Sequence, residues 1–130
     1  MIEHIQLEPS VDTPGIDMDP STGVCEFTGK SFPSDVTAFY APVVEWIQEY
    51  EKNPCPKTVL NLKLDYFNTA SSKILLEIFT MFETLYKNGN DVVLNWYYPD
   101  DDEDMQQTGQ EYSELLMLPF NKIGYSVVFT

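Results

Sequence analysis

The sequence predicts a single α/β domain, residues 1–130, with a mixed β-sheet and helices mainly on one face. Three observations lead to this prediction. The chain has 130 residues, of which 43% are hydrophobic, enough for one domain with one core. Strand-like and helix-like segments alternate after an opening hairpin, in the order β-β-α-β-α-β-α-β. In the first strand of the alternating part, apolar and polar residues also alternate, which indicates one covered face and one more open face.

The N-terminal part is predicted to be an extended lead-in followed by a β-hairpin. Residues 1–14 contain two prolines among polar residues and form the lead-in. Residues 15–18 and 24–28 are short strand-like runs. The segment between them, Asp19-Pro20-Ser21-Thr22-Gly23, is typical of turns, so the two runs are predicted to pair.

The middle of the chain is predicted to form a helix and then a strand. Ser34 or Asp35 can cap a helix that runs to about Lys52, because apolar residues recur there every three or four positions. Residues 58–67 are predicted to be a strand with one covered face. The apolar residues of that face are Leu60, Leu62, Leu64 and Tyr66.

The C-terminal half continues the alternation of helix and strand. A helix is predicted over residues 70–87 and a strand over residues 91–98. The acidic run 100–104 suits the N-terminus of a third helix, where the helix dipole stabilises carboxylates, and this helix is predicted to run to about Leu118. Residues 120–129 are predicted to form the last strand.

The charge and the cysteines limit the classes of partner and location. The formal net charge is −14, which disfavours nucleic acid and anionic membranes and suits basic surfaces on other proteins, although acidity can also serve solubility alone. Cys25 and Cys55 lack zinc-ligand spacing, and the N-terminus lacks a signal-peptide pattern. No stretch approaches the roughly 20 apolar residues that span a bilayer. A cytoplasmic protein is therefore predicted.

Motifs for catalysis and for cofactor binding are not found. His4 is the single histidine and lies in the lead-in, which is a poor position for a catalytic base. The sequence has no P-loop, dinucleotide fingerprint, nucleophile elbow or HExxH, and the acidic run 100–104 lacks EF-hand spacing. The sequence therefore predicts a protein that is not an enzyme and that needs no cofactor or metal.

Three hydroxyls gather where the predicted strand 58–67 joins the following helix. They belong to Thr69, Ser71 and Ser72. Asn68, Thr69 or Ser71 can be the N-cap of that helix. A phosphate at a helix start would be stabilised by backbone N–H groups and by the helix dipole. At about 100° per residue, Lys73 and Leu76 share an outward face with Thr69, away from the apolar face.

Aromatic residues end the next predicted strand, at Asn95-Trp96-Tyr97-Tyr98. If the two strands are parallel, their C-terminal ends lie at the same edge of the sheet, where ligands and partners are favoured in α/β folds. Trp96 is predicted to be in the core. Tyr97 or Tyr98 is expected to be exposed beside Thr69.

Several pieces of the chain resemble the SiaC family of bacterial regulatory phosphoproteins. The most specific are Tyr66-Phe67-Asn68-Thr69-Ala70-Ser71 and Asn95-Trp96-Tyr97-Tyr98. Further similar pieces are Thr13-Pro14, Gly29-Lys30-Ser31-Phe32-Pro33, Glu45-Trp46, Asp101-Asp102-Glu103-Asp104-Met105 and Leu118-Pro119-Phe120. The resemblance extends over nearly the whole chain and implies a STAS-like fold, similar to the antagonists of anti-sigma factors.

The resemblance implies a partner-switching protein in cyclic-di-GMP signalling and biofilm regulation. A cognate serine/threonine kinase, itself similar to an anti-sigma factor, would phosphorylate the threonine after the asparagine, which is Thr69 here. A PP2C-type phosphatase would reverse this. The unphosphorylated form would bind and activate an effector, such as a diguanylate cyclase. The residues expected in the switch region or at the partner surface are Asn68, Ser71, Ser72, Lys73, Leu76, Tyr97 and Tyr98.

Two other classes of function stay open at this point. The main alternative is a constitutive acidic scaffold or subunit, in which the hydroxyl cluster is only a helix cap. An enzyme of unrecognised type is the third. Phosphate on Thr69 in the native protein would separate the first class from the scaffold.

Overall fold

In the computed structural model, residues 2–127 are described, and they form one six-stranded sheet with three helices. The strands are β1 (Ile5–Leu7), β2 (Gly15–Asp19), β3 (Val24–Ser31), β4 (Lys57–Phe67), β5 (Asp91–Pro99) and β6 (Phe120–Tyr125). The helices are α1 (Val36–Tyr50), α2 (Thr69–Lys87) and α3 (Glu103–Leu115). The predicted α/β class with a mixed sheet is confirmed. The structure adds one strand, β1, within the predicted lead-in.

The C-terminal elements differ from the prediction in their ends. Helix α3 ends at Leu115 rather than near Leu118, because Leu116 adopts an extended backbone (φ −108°, ψ 139°). Leu116 and Leu118 are then both buried in the core, and a residue before proline, as Leu118 is, disfavours helix. The last strand ends at Tyr125. The predicted strand residues 128 and 129 lie outside the described range.

The strands lie in the order of the sequence, β1-β2-β3-β4-β5-β6. Strands β1 to β3 are antiparallel, and β3 to β6 are parallel. Right-handed crossovers between successive neighbouring strands place each connecting helix on the same face of the sheet. The strand residues buried beneath the helices in β4 and β5 are Thr58, Leu60, Leu62, Leu64, Val92, Leu94 and Trp96. The prediction of helices mainly on one face is thus confirmed.

The opposite face of the sheet carries a ladder of asparagines. Asn61, Asn95 and Asn121 are register neighbours on β4, β5 and β6. The Asn121 side-chain amide donates to Asn95 Oδ1 at 3.0 Å, and the Asn95 amide donates to Asn61 Oδ1 at 2.9 Å. A slip of one residue would turn these amides into the core, so the ladder favours a single register of the parallel strands.

Strand β4 contains one extra residue near its C-terminal end. Gly29 pairs with Leu64, but the next residue of β3 pairs with Tyr66, so Asp65 forms a β-bulge. The bulge reverses the alternation of side chains. Tyr66 is 50% exposed, whereas Phe67 packs edge-to-face on buried Trp96 with ring centroids 6.0 Å apart. This corrects the prediction that Tyr66 continues the covered face.

Helix α3 is held close to the sheet at Trp96. The indole N–H of Trp96 donates to the Met105 carbonyl at 3.0 Å. Gly109 lies directly over the indole, where any side chain would collide with the ring. Within residues 2–127, no helix combines the length and hydrophobicity needed to cross a membrane.

Candidate functional site

Helix α2 begins at the loop after β4, and Asn68 caps it. The Asn68 backbone is extended, and its Oδ1 accepts the N–H of Ser71 at 2.9 Å. The backbone N–H of Asn68 donates to the Ser31 carbonyl at 3.2 Å, which ties the cap to β3. Asn68 is therefore the N-cap, rather than Thr69 or Ser71.

Thr69 is the first residue of α2, and its side chain is exposed. Across the described residues, the Thr69 hydroxyl makes no hydrogen bond. The helix is capped by Asn68, and Ser72 Oγ donates to the backbone carbonyl of Thr69 at 2.7 Å, not to its hydroxyl. The helix start therefore does not depend on the Thr69 hydroxyl. Thr69 therefore stands at the surface of the domain without a structural task for its hydroxyl.

Ser71 lies on the buried side of the same helical turn. Its hydroxyl contacts Ser31 Oγ at 2.8 Å, and Ser31 Oγ contacts the Tyr40 hydroxyl at 2.6 Å. All three side chains are fully buried, and burial raises the pKa of Tyr40 to about 12, so the phenol is neutral. Ser71 was expected at the partner surface. The structure instead places it in the core, because it shares the inward face of α2 with Leu75.

A groove of about 360 Å³ separates the start of α2 from α3. One wall consists of Thr69, Ser72, Lys73 and Leu76 on α2. The other consists of Thr108, Glu111, Tyr112 and Leu115 on α3. Phe67 and Asn68 complete the lining. In each wall the residues recur at three- and four-residue spacing, so each wall is one face of a helix.

Thr69, Lys73 and Leu76 share one face of α2, as predicted. That face borders the groove toward α3, whereas the prediction had it directed away from the domain. Leu76 is half-buried and packs against the core. None of the four α3 residues is among the site residues predicted from the sequence. The four α3 residues have the spacing i, i+3, i+4 and i+7, which marks a helix face but does not tell which neighbour the face meets.

Tyr112 joins the two walls. Its hydroxyl donates to the Ser72 carbonyl at 2.8 Å, and its ring packs edge-to-face on Phe79 with centroids 5.1 Å apart. Burial raises the pKa of Tyr112 above its ordinary value, so the phenol remains a neutral donor. The base of the groove is therefore fixed by packing and by a hydrogen bond.

The groove combines apolar side chains with a single cation and a single anion, Lys73 and Glu111. Leu115 is 64% exposed at its rim, and Met117, just beyond, is 70% exposed. Exposed apolar side chains at the rim of a groove that also carries polar groups are typical of an interaction surface. The arrangement suits contact with a partner better than chemistry on a small molecule.

Tyr97 and Tyr98 do not line the groove. Trp96 faces the helices, so Tyr97 is directed to the open face of the sheet, where its register neighbour is Ile123. Tyr98 packs partly against the core. The sequence left the relative direction of β4 and β5 open, and the structure shows a parallel pairing. Its last register pair, however, is Leu62 with Trp96, so β4 continues well beyond it before reaching Thr69.

The acidic run at the start of α3 has a structural role. Asp102 Oδ1 accepts the N–H of Met105 at 2.9 Å and is the N-cap, while Glu103 and Asp104 occupy the first turn. Among the described residues, no three His, Cys, Asp or Glu side chains gather into a group that could hold a metal. Independence from metal and cofactor stays a prediction.

Comparisons with known proteins agree with this fold. An uncharacterized protein of Pseudomonas aeruginosa strain UCBPP-PA14 is 28% identical over 119 residues, which cover 92% of this chain and 94% of the relative. The solved structure of SiaC of Pseudomonas aeruginosa superposes with a TM-score of 0.88 at 23% identity, covering 95% of this chain and 100% of that one.

A second solved structure contains a partner. It is the crystal structure of the diguanylate cyclase SiaD in complex with its activator SiaC from Pseudomonas aeruginosa. This chain matches it with a TM-score of 0.89 at 25% identity, covering 93% of this chain and 99% of that one. The family model described as SiaC family regulatory phosphoprotein matches residues 7–125. The family predicted from the sequence is thereby confirmed, and the chain belongs to the SiaC family of regulatory phosphoproteins.

Proposed function

We propose that this chain is a phosphorylation-controlled partner switch whose phosphosite is Thr69. The unphosphorylated form binds an effector over the groove between α2 and α3, and phosphorylation of Thr69 prevents that binding. The observation that carries the proposal is the exposed Thr69 hydroxyl at the groove, which the helix cap does not use. Asn68 caps α2 without help from the Thr69 hydroxyl. The alternative of a scaffold, in which the hydroxyl cluster is only a helix cap, therefore has less support.

The proposed effector is a diguanylate cyclase, since the SiaC of the solved complex is an activator of such an enzyme. The chain itself would be a non-catalytic cytoplasmic protein of bacterial cyclic-di-GMP signalling and biofilm control. A cognate serine/threonine kinase would transfer the γ-phosphoryl group of ATP to Thr69 Oγ1, releasing ADP and the hydroxyl proton. A PP2C-type phosphatase would hydrolyse the ester to threonine and inorganic phosphate. The net charge of −14 favours protein partners over nucleic acid and anionic membranes.

The physical effect of phosphorylation is local. A phosphate adds about −1.5 to −2 charges at neutral pH. At an exposed first helical position this is tolerated, because the helix N-terminus stabilises anions by roughly 0.3–1 kcal/mol. A partner packed over the hydroxyl would have to bury a hydrated dianion, at several kcal/mol. Since each 1.4 kcal/mol corresponds to about tenfold in affinity, binding should weaken by about 100-fold or more.

The first test concerns native phosphorylation and binding. Mass spectrometry of the protein from its own cells should find phosphate on Thr69. For a cyclase that copurifies with the native protein, calorimetry should show strongly reduced affinity for Thr69→Asp and nearly normal affinity for Thr69→Ala. Thr37→Asp, at an exposed threonine near the start of α1, is the matched control and should bind normally. Equal affinity of Thr69→Asp and wild type would rule out Thr69 as the switch.

A further inference from the structure

Lys73 stands one helical turn after Thr69 on the same wall of the groove. Residues four apart on a helix are neighbours, with Cβ atoms about 5–6 Å apart. Both side chains are exposed, and both line the groove. A phosphate on Thr69 would therefore lie within reach of the Lys73 ammonium group.

Lys73 is also uncommitted in the unphosphorylated protein. Two carboxylates could compete for it, Glu77 one turn further along α2 and Glu111 on the opposite wall. Over residues 2–127, neither lies within 4.0 Å of the Lys73 ammonium, and the ion pairs present involve other residues. The ammonium group is thus available to an added anion.

Among residues 2–127, no other cationic side chain lines the groove. The chain has no arginine, and of its seven lysines only Lys73 lines the groove. Lys87, at the far end of α2, pairs with Glu83 at 3.5 Å. Lys63 lies on the open face of the sheet, over the Tyr125 ring at 4.9 Å. Because the protein has a net charge of −14, Lys73 is the main source of positive potential that a phosphate on Thr69 would meet within this groove.

We propose that Lys73 is the intramolecular counter-ion of a phosphate on Thr69. This inference rests on the proposed function, because it requires that Thr69 is the phosphosite. The pair keeps the phosphate against the α2 wall of the groove instead of leaving it free in solvent. It also occupies the ammonium group that an acidic side chain of a partner would otherwise contact. Lys73 is thus a positioning residue of the switch.

The test measures the phosphate directly and needs neither kinase nor effector. Phosphothreonine is introduced at position 69 of the full chain during translation, and its second pKa is measured by ³¹P NMR titration at low salt. An ammonium about 6 Å away lowers that pKa by about half a pH unit. Lys73→Met should therefore raise the phosphate pKa by this amount. The difference should shrink in about 1 M salt, where the screening length is about 3 Å.

Lys87→Met is the matched control, since it removes a lysine from the same helix about 21 Å further along, and it should leave the phosphate pKa unchanged. An equal phosphate pKa in wild type and Lys73→Met at low salt would overturn the role of Lys73. That result would leave the proposed function standing, whereas absence of phosphate on Thr69 in native cells would remove the proposed function without changing the titration.

Discussion

The two sides of the first turn of α2 differ sharply in their surroundings. Toward α1, Ser71 is fully buried in a chain of hydroxyls with Ser31 and Tyr40. Toward α3, the Thr69 side chain is exposed at an open groove and is not needed for the cap. Two hydroxyls only two residues apart thus lie in opposite surroundings, one in the core and one at the surface.

Under the proposed function, this difference would let a modification of Thr69 change binding without changing the fold. The buried side fixes the position of the helix start, since buried polar groups must keep their partners. The open side leaves the Thr69 hydroxyl at the surface, where a phosphate would meet a bound partner before it disturbed the core. A switch of this kind is predicted to act by blocking a surface and not by rearranging the domain.

The largest effect should come from placing the same charge on the buried side. Ser71→Asp should lower the free energy of unfolding by about 3–5 kcal/mol, because it buries a carboxylate without a counter-ion. Thr69→Asp should change it by only about 0.5 kcal/mol. An acidic residue in the first turn is otherwise favourable, so burial alone separates the two variants. Urea denaturation measures both, and similar losses would show that the two sides do not differ.

A smaller effect is expected at alkaline pH. Burial raises the pKa of Tyr40 to about 12, above its unfolded value of about 10. Below pH 10 the phenol is neutral in both states, and its stabilisation is fully present. Between pH 10 and 12 the unfolded chain ionises first, so the free energy of unfolding should fall, by up to about 3 kcal/mol for this residue.

The alkaline decline can be assigned with two variants. Tyr40→Phe should be less stable at neutral pH by about 1 kcal/mol, because Ser31 loses a hydrogen-bond partner, but its stability should decline less between pH 10 and 12. Tyr66→Phe, which removes an exposed phenol, is the matched control. A decline of wild-type size in Tyr40→Phe would contradict the proposed origin. Denaturation at stepped pH gives all three curves.

The smallest effect on stability is expected at the groove rim. Leu115→Ser should change the free energy of unfolding by about 0.5 kcal/mol, since Leu115 is 64% exposed. It should nevertheless weaken binding of the copurified effector by about tenfold or more if Leu115 is a binding hot spot. Val11→Ser, at an 81% exposed valine outside the groove, should keep wild-type affinity. Wild-type affinity of Leu115→Ser would contradict the proposal that the effector binds over the α3 wall.

Most of the fold was predictable because its segments have long and clear periodicities. The hairpin, the three helices and the strands between those helices follow from such patterns, whereas the relative direction of β4 and β5 does not. Strand β1 could not be predicted, because it is three residues long and depends on tertiary contacts. It pairs with β2, and the preceding Glu3 carbonyl accepts the Trp46 indole N–H at 2.6 Å.

Only the α2 wall of the groove was predictable from the sequence. The helix start and the face shared by Thr69, Lys73 and Leu76 follow from sequence and helical geometry. The identity of the cap did not, because asparagine, threonine and serine all suit that position. The α3 wall required knowledge of how two helices pack, and neither Tyr97 nor Tyr98 takes part because β4 extends beyond its pairing with β5.

The bulge at Asp65 makes the end of β4 tolerant of one change in length and not of another. Tyr66 and Phe67 pair with the two residues that follow Gly29 on β3, so without Asp65 the strand would alternate regularly and would keep Phe67 on Trp96. Inserting one more residue between Leu64 and Phe67 would instead turn Phe67 toward the open face of the sheet. The joint that sets the direction of Thr69 should therefore tolerate the loss of its extra residue better than the gain of a second.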